Sequence, residues 1–426
     1  MYLTTLLTVG LLCGAGGSAR IGQAQEKPLK VFVLVGQSNM QGHAHVRTLP
    51  HLGMDRATQP WLAEIMDDEG QPRIVDNVWI SYLSSGGVRS GPLTAGFGAD
   101  RNKMGPELAF GIQMKKRVAE PFLIIKAAWG GKSVHTDFRP PGAGPYEFDQ
   151  AVLQRLADQG KDIEAVRRDK REATGVFYRQ TIDHVNDVLA DIGSVVPGYD
   201  EEQGYQLAGL VWFQGWNDMV DRGTYPQRGE PGGYDEYTRV LGQLIREFRQ
   251  DLSAPDLPVV IGVMGVGGPT AEYGESQQRY RAVHQNFRDA MAAAADPAET
   301  GGNVVAVLTE EYWDPELDAV VSRDESLRSR LRKAKQEGRL KPLARQLNGD
   351  RQPTGPEEAR LDQLEREGQL ETVLLERLRT NEFSPRELAI LTTGASNAAY
   401  HYLGSAKIMT GIGQGFAEAL PLDESR

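Results

Sequence analysis

The sequence predicts a doubly wound α/β domain on a mostly parallel sheet, with a charged helical insertion late in the chain. Three observations carry that expectation. Short β-branched runs without polar alternation recur along the chain, as strands buried on both faces require. Segments with apolar residues at helical spacing separate them. From about residue 316 to 387 the composition changes, with Arg, Glu, Lys and Leu abundant and aromatics scarce.

The first run is Lys30 to Val35 (KVFVLV), closed by Gly36. The others are Val78 to Leu83, Phe122 to Ala127, Leu207 to Phe213, Pro258 to Met264 and Val304 to Leu308. Pro106 and Glu107 have the character of a first helical turn, predicting a helix to about Val118. Tyr178, Ile182, Val185, Leu189 and Ile192 repeat at helical spacing, as do Tyr237, Val240, Leu241, Leu244, Ile245 and Phe248. The charged stretch reads as a pair of long solvated helices broken near Asn348 to Gly355 (NGDRQPTG), inserted between the last strand and the final helix. A coiled-coil partner site is the alternative reading. The final helix is expected to open at Tyr400-His401-Tyr402-Leu403-Gly404 and run to about Leu420. In this architecture the loops at the carboxyl ends of the strands form the site.

Residues Tyr2 to Ala15 are apolar or small and carry no charge, and small residues with a cleavage point near Ala24 follow. This reads as a signal peptide over residues 1–24, a mature domain over 25–426, and a secreted or periplasmic protein with no membrane span after removal. Cys13, the one cysteine of the 426 residues, lies inside the signal. The mature domain would then have no thiol for a disulfide, a nucleophile or a metal site. The net charge of -11 argues against nucleic acid and anionic membranes as partners, and leaves a neutral sugar or small ester open.

Chemistry-bearing residues stand just after three runs. Gly36-Gln37-Ser38-Asn39-Met40 follows the first, and a serine hydroxyl there needs a base to become a nucleophile. The competing reading is a helix start capped by Ser and Asn. Trp129-Gly130-Gly131-Lys132-Ser133 follows the third run, and paired glycines let backbone N–H groups approach a substrate. Gln214-Gly215-Trp216-Asn217-Asp218 follows the fourth, with carboxamides able to donate to a developing oxyanion. His401 is placed where a late loop could return to the first strand. His43, His45 and His51 crowd near Ser38 without a matching carboxylate pattern, so a polar rim is expected there, with no metal and no cofactor. His135, Asp137 and Arg139 either contact substrate or order the loop at Pro140 and Pro141. Gly130-Gly131-Lys132-Ser133 lacks the earlier glycine of a phosphate loop, where Lys126 stands. Gly265, Gly267 and Gly268 do not complete a dinucleotide fingerprint. Met40 replaces the last glycine of a G-x-S-x-G elbow.

With these blocks in order, the sequence resembles the SGNH hydrolase superfamily, and more narrowly the sialate O-acetylesterase-like carbohydrate esterases. Gly36 to Met40 matches the nucleophile block, Ala128 to Ser133 the second, and Gly215-Trp216-Asn217-Asp218 the third, preceded by Gln214. His401 falls at the fourth, and Gly105-Pro106-Glu107 also agrees. The resemblance covers about residues 30 to 315 and 394 to 420. It implies a three-layer α/β/α flavodoxin-like SGNH fold and removal of O-acetyl groups from carbohydrate through a serine acyl-enzyme. Ser38 would be the nucleophile and His401 its base. The N–H groups of Ser38 and Gly131, with Asn217 or Gln214, would hold the oxyanion. Gln37, Trp129 and Trp216 would contact substrate. One departure stands out: Ala398 occupies the place of the family's orienting Asp, with Asn397 its nearest polar neighbour and Glu310, Glu311 and Asp314 as candidate substitutes. That departure favours the alternative function, a catalytically weak or inactive carbohydrate-binding protein on the same fold. An esterase for non-sugar substrates is the third reading.

Overall fold

The computed structural model describes residues 27–347 and 354–422. The signal segment, Cys13 and residues 348–353 of the expected break lie outside them. Nine strands are present among the described residues: β1 (Leu29–Gly36), β2 (Ala44–His45), β3 (Val78–Ser84), β4 (Gly87–Pro92), β5 (Lys103–Met104), β6 (Phe122–Ala128), β7 (Tyr205–Phe213), β8 (Val259–Val263) and β9 (Val304–Leu308). Seven form one sheet in the order β4-β3-β6-β1-β7-β8-β9, while β2 and β5 pair as a short ribbon. All neighbours in the large sheet are parallel except the edge hairpin β3-β4. The expected mostly parallel sheet is therefore present.

The chain starts at the sheet's centre, fills one side with β3 and β6, then crosses to β7 and continues outward. The order reverses beside β1, which is where such sheets place their ligands. Register makes this concrete. Gly36 pairs with Ala128 on one side and with Phe213 on the other, so three loops leave the same edge together.

Side chains alternate across the sheet and meet helices on both faces. Phe213 packs against Phe416 of the helix Ala406–Ala419 at 5.2 Å between centroids. Its neighbour Trp212 points to the opposite layer and meets Phe138 at 5.2 Å. Phe32, also fully buried, sits between Phe110 and Phe122 in edge-to-face contacts of 5.6 and 5.5 Å. Such pairs add about 0.5–1.5 kcal/mol each beyond the area they bury.

One ion pair lies wholly inside. Lys126 Nζ reaches Glu107 Oε2 at 2.7 Å, both side chains at 0% exposure. The same ammonium donates to the carbonyls of Gln41 (3.0 Å) and Phe97 (2.9 Å) and lies 4.5 Å from the Tyr82 ring centroid. Glu107 Oε1 accepts from Gly105 N–H. Burial pushes the Lys126 pKa down and Glu107 pulls it back. Lys126→Met should cost about 3–5 kcal/mol in chemical unfolding, because Glu107 is left as a buried charge without its partner. The double variant with Glu107→Gln should recover part of that loss.

The charged region departs from the expected pair of long helices. Among the described residues it folds as five helices: Pro315–Gln336, Leu340–Gln346, Gly355–Arg366, Leu370–Glu382 and Pro385–Thr393. Gly338 and Gly368 adopt left-handed backbone (φ 65° and 68°), a conformation glycine takes without steric cost, and each ends a helix. Leu327, Leu331, Leu374 and Leu378 are buried within the chain, so the leucines available for a coiled-coil seam are already used. Asp324 ties the bundle by accepting from Arg328 and Arg379. The final helix also starts later than expected. His401 sits in a separate 3₁₀ turn, Ala399–Gly404, and the α-helix begins at Ala406. No described helix is long and apolar enough to cross a membrane.

Candidate active site

β1 ends at Gly36, and a four-residue helix, Ser38–Gln41, begins at once. The turn is fixed from behind. Gln37 N–H donates to Phe213 O, and the chain leaves the helix at Gly42 (φ 91°). A side chain at Gly42 would meet Gly105 Cα at 2.2 Å, so the approach of these two segments requires glycine. Ser38 is 7% exposed. Its hydroxyl is 3.5 Å from Gln37 Nε2. The N–H groups of Ser38 and Gly131 make no hydrogen bond among the described residues. Gly131 is exposed, left-handed (φ 74°) and open on its Cβ side.

Backbone donors settle which way the carboxamides point. Gln37 Oε1 lies 3.0 Å from Gly215 N and 3.4 Å from Asn217 N, and a backbone N–H can only donate. Gln37 Nε2 must therefore be the donor to Asn217 Oδ1, at 3.1 Å. That turns the Asn217 Nδ2 hydrogens away from Gln37, as donors with no protein acceptor among the described residues. Gln37 itself is fully buried and orients Asn217 instead of facing solvent.

Gln214 is buried too. Its Nε2 lies within hydrogen-bond distance of Gln37 Oε1 (3.1 Å), Lys132 O (2.9 Å) and Asp218 Oδ2 (2.6 Å). Those bonds join the three loops and leave no N–H for an oxyanion. Asp218, fully buried, accepts from Val134 N, His135 N and Tyr225 OH as well. Burial pushes its pKa up while those donors hold it down. It fastens the loop after β6 to the loop after β7. Trp129 is packed against Phe138 and Phe177 and closed off from solvent, so it shapes this loop from beneath. Trp216 differs: half-buried, it lies 5.6 Å from the Tyr400 ring and 6.4 Å from His284.

His401 arrives on a strained turn. Tyr402 and Leu403 are left-handed (φ 51° and 58°), which costs on the order of 1–3 kcal/mol per residue. Their surroundings offset it. Thr309 gives its one hydroxyl proton to Val263 O, so Tyr402 OH donates to Thr309 Oγ1 (2.6 Å) while accepting from Gly265 N (2.8 Å). Ser396 N and Asn397 N both donate to Leu403 O, and Ser396 Oγ accepts from His45 N. The turn comes alongside the helix Ser38–Gln41. The His401 ring lies between His43, stacked at 4.0 Å and 5°, and Tyr400 at 4.4 Å.

The residue facing His401 Nδ1 is Asn397, whose Oδ1 is 2.9 Å away. The same oxygen accepts from Ala398 N–H at 2.8 Å, which fixes it as oxygen. Nδ1 is thus the protonated nitrogen, and Nε2 keeps its lone pair with no protein partner among the described residues. Ser38 and His401 are not hydrogen-bonded to each other. Two of the acids considered for this role are engaged elsewhere. Asp314 binds His51 (3.1 Å) and Lys407 (2.9 Å), and Glu310 pairs with Arg288. Burial first, then His43 and Lys103, lowers the His401 pKa to about 4. His43 falls to about 4 through burial and Lys103.

His135 is held by Thr136 Oγ1 (2.6 Å) and Asp221 (3.1 Å), and Arg139 donates to the carbonyls of Ala143, Gly144 and Pro145. Arg139 orders the proline-rich loop, whereas His135 ties the segment before it to Asp221 after β7. Among the described residues no cluster of His, Cys, Asp or Glu could hold a metal ion. Sequence reasoning missed the work of Asn397, the stacked position of His43 and the anchoring by Asp218. The signal for Asn397 was an amide four residues ahead of the histidine.

A doubly wound sheet with a serine after its first strand, an asparagine after β7 and a histidine on a late turn has the make-up of an SGNH-type hydrolase. Residues 28–302 match the model of the family described as carbohydrate esterase, sialic acid-specific acetylesterase, and the chain belongs to that family. The match ends before β9 and His401. No curated protein sequence matches the chain. Among solved structures, it is similar to a protein from Arabidopsis thaliana (17% identity, TM-score 0.34, covering 66% of this chain and 86% of that one). It is similar also to a carbohydrate acetylesterase from Xanthomonas citri (13%, 0.37, 67% and 51%) and to NanS (13%, 0.34, 66% and 78%).

Proposed function

We propose that the protein is a carbohydrate acetylesterase that works through a serine acyl-enzyme. Ser38 Oγ attacks the acetyl carbonyl while His401 Nε2 takes its proton. The carbonyl oxygen becomes an oxyanion held by the N–H groups of Ser38 and Gly131 and by Asn217 Nδ2. His401 returns the proton to the departing sugar hydroxyl, and water then releases acetate by the same steps reversed. The observation that carries this reading is the pair of locked amides. Asn397 leaves the histidine basic on Nε2, and Gln37 leaves Asn217 able to donate. Trp216 and Tyr400 offer an aromatic wall for the sugar ring beside the histidine. Acetate release from a panel of acetylated polysaccharides, with an organophosphate adduct mapped to Ser38, tests it. Absence of both would refute the assignment.

A neutral amide also marks this site off from a triad. Asn397 orients the imidazole but does not stabilise its charged form as a carboxylate would. That observation supports the second reading, a weak or inactive sugar-binding protein, and kinetics decide between the two. The enzyme reading expects kcat/KM to rise through pH about 4 and stay level above pH about 5, since His401 must be neutral to act. Asn397→Asp should move that limb up by about 1–3 pH units. A parent limb already near the ordinary histidine value would sink this account.

A further inference from the structure

A second cavity is lined by residues of the segment that follows β6. The helix Ile163–Ala173 reads IEAVRRDKREA. Arg167, Lys170 and Arg171 of this helix, with Thr174 just past its end, share one face by their spacing. All four line a cavity of about 630 Å³, together with residues of the segment Arg139 to Gln150 and with Arg179. The helix's acids Glu164, Asp169 and Glu172 are absent from that lining, where Glu147 is the lone carboxylate. Cations four residues apart repel. The arrangement runs against a chain of net charge -11.

Some of these cations are already engaged. Arg139 is spent on loop carbonyls and Glu236, and Lys170 donates to Thr136 and lies 4.1 Å from the Tyr146 ring centroid. Three guanidinium groups are engaged at most once each. Arg167 Nε has no hydrogen-bond partner and only a long ion pair with the exposed Glu164, at 4.0 Å. Arg171 has no ion pair among the described residues, and Arg179 meets only the carbonyl of Thr174. Tyr146 and Phe148, edge-to-face at 4.9 Å, add an apolar surface between them. Guanidinium groups recognise carboxylate and sulfate in paired hydrogen bonds, and aromatic faces accept sugar rings.

We propose that this cavity is a distal subsite for an anionic unit of a polymeric glycan, carrying a uronate carboxylate or a sulfate ester, next to the acetylated unit held at Ser38. The cavity is linked to the site through the segment after β6: Lys170 bonds Thr136, three residues past the Gly130 to Ser133 loop, and Lys132 of that loop lies 4.1 Å from the Phe177 ring centroid on the following helix. The substrate class becomes an acidic polysaccharide, an assignment that rests on the carbohydrate-esterase reading.

Calorimetric titration of the protein with unacetylated tetragalacturonate, a sulfated galactotetraose and neutral xylotetraose tests it. The expected result is salt-sensitive binding of an anionic tetrasaccharide and none of the neutral one. The tighter of the two anionic arms names the group. Arg167→Gln/Arg171→Gln, and the exposed Arg171→Gln alone, should weaken that binding, the double variant by about tenfold or more. Turnover of p-nitrophenyl acetate should be unchanged in both. Equal binding of the neutral tetrasaccharide, no binding of either anionic one, or unweakened binding by the double variant would overturn the subsite. A parent protein that fails to turn over p-nitrophenyl acetate would count against the esterase reading alone.

Discussion

Ser38→Ala is expected to lower acetate release by about 10⁴-fold or more, with no loss of folded protein. The two halves of this result separate a nucleophile from a structural serine. Ser38 contributes one long hydrogen bond to the fold, at 3.5 Å from Gln37. The turn around it is held by backbone bonds from Gln37, Gln41 and Gly42, which alanine retains. Thermal unfolding should therefore match the parent while the reaction nearly stops. The residue of activity would come from the oxyanion donors, which remain. A variant within tenfold of the parent would remove Ser38 from the mechanism. If the reaction stopped because the protein unfolded, the serine would be a capping residue.

The second large effect is expected at Asn217. Asn217→Ala should reduce kcat by roughly 10²–10³, the usual loss for one oxyanion donor, with KM and unfolding little changed. Gln37 Nε2 loses its Asn217 acceptor but keeps Ser38 Oγ at 3.5 Å, and Gln37 Oε1 keeps its contact with Gly215 N–H. Gln214→Ala provides the contrast. Its amide joins Gln37, Lys132 and Asp218 in the interior, so its removal should lower the melting temperature as well as the rate. An Asn217→Ala variant that keeps full turnover would take the side chain out of the oxyanion site, leaving the backbone N–H groups alone.

The fold was legible where burial dictates sequence. β9 matches its predicted range of Val304 to Leu308 residue for residue, and the other five predicted strands differ by one or two positions at their ends, while β2, β4 and β5 were not anticipated. In the sheet's centre, β-branched runs buried on both faces admit little else, whereas β9, part-exposed at the edge, was marked by its β-branched composition alone. The insertion was less legible because charged residues and leucines alternate there. Composition shows helices, but only the backbone at Gly338 and Gly368 shows where the chain reverses. The site divides along a similar line. A carboxamide after a strand shows that a donor is available but not what it meets. Gln37 and Gln214 were therefore read as ligand-facing, whereas both hold loops together. Trp129 followed the same logic, since an aromatic ring suits a sugar and a core equally. Asn397 was noted only as a polar neighbour because its task depends on one backbone N–H, that of Ala398.

The burial that lowers the pKa of His43 and His401 has a thermodynamic cost away from catalysis. Both groups, and His284, titrate near 4 in the folded chain, chiefly through burial, against an ordinary value of 6.5. Between those two values the unfolded ensemble binds protons that the native state refuses. Acidification through that window therefore drains native stability, whereas above it the contribution is complete. Urea midpoints should fall steadily from pH 6.5 towards 4, and unfolding at pH 5 should be accompanied by net proton uptake.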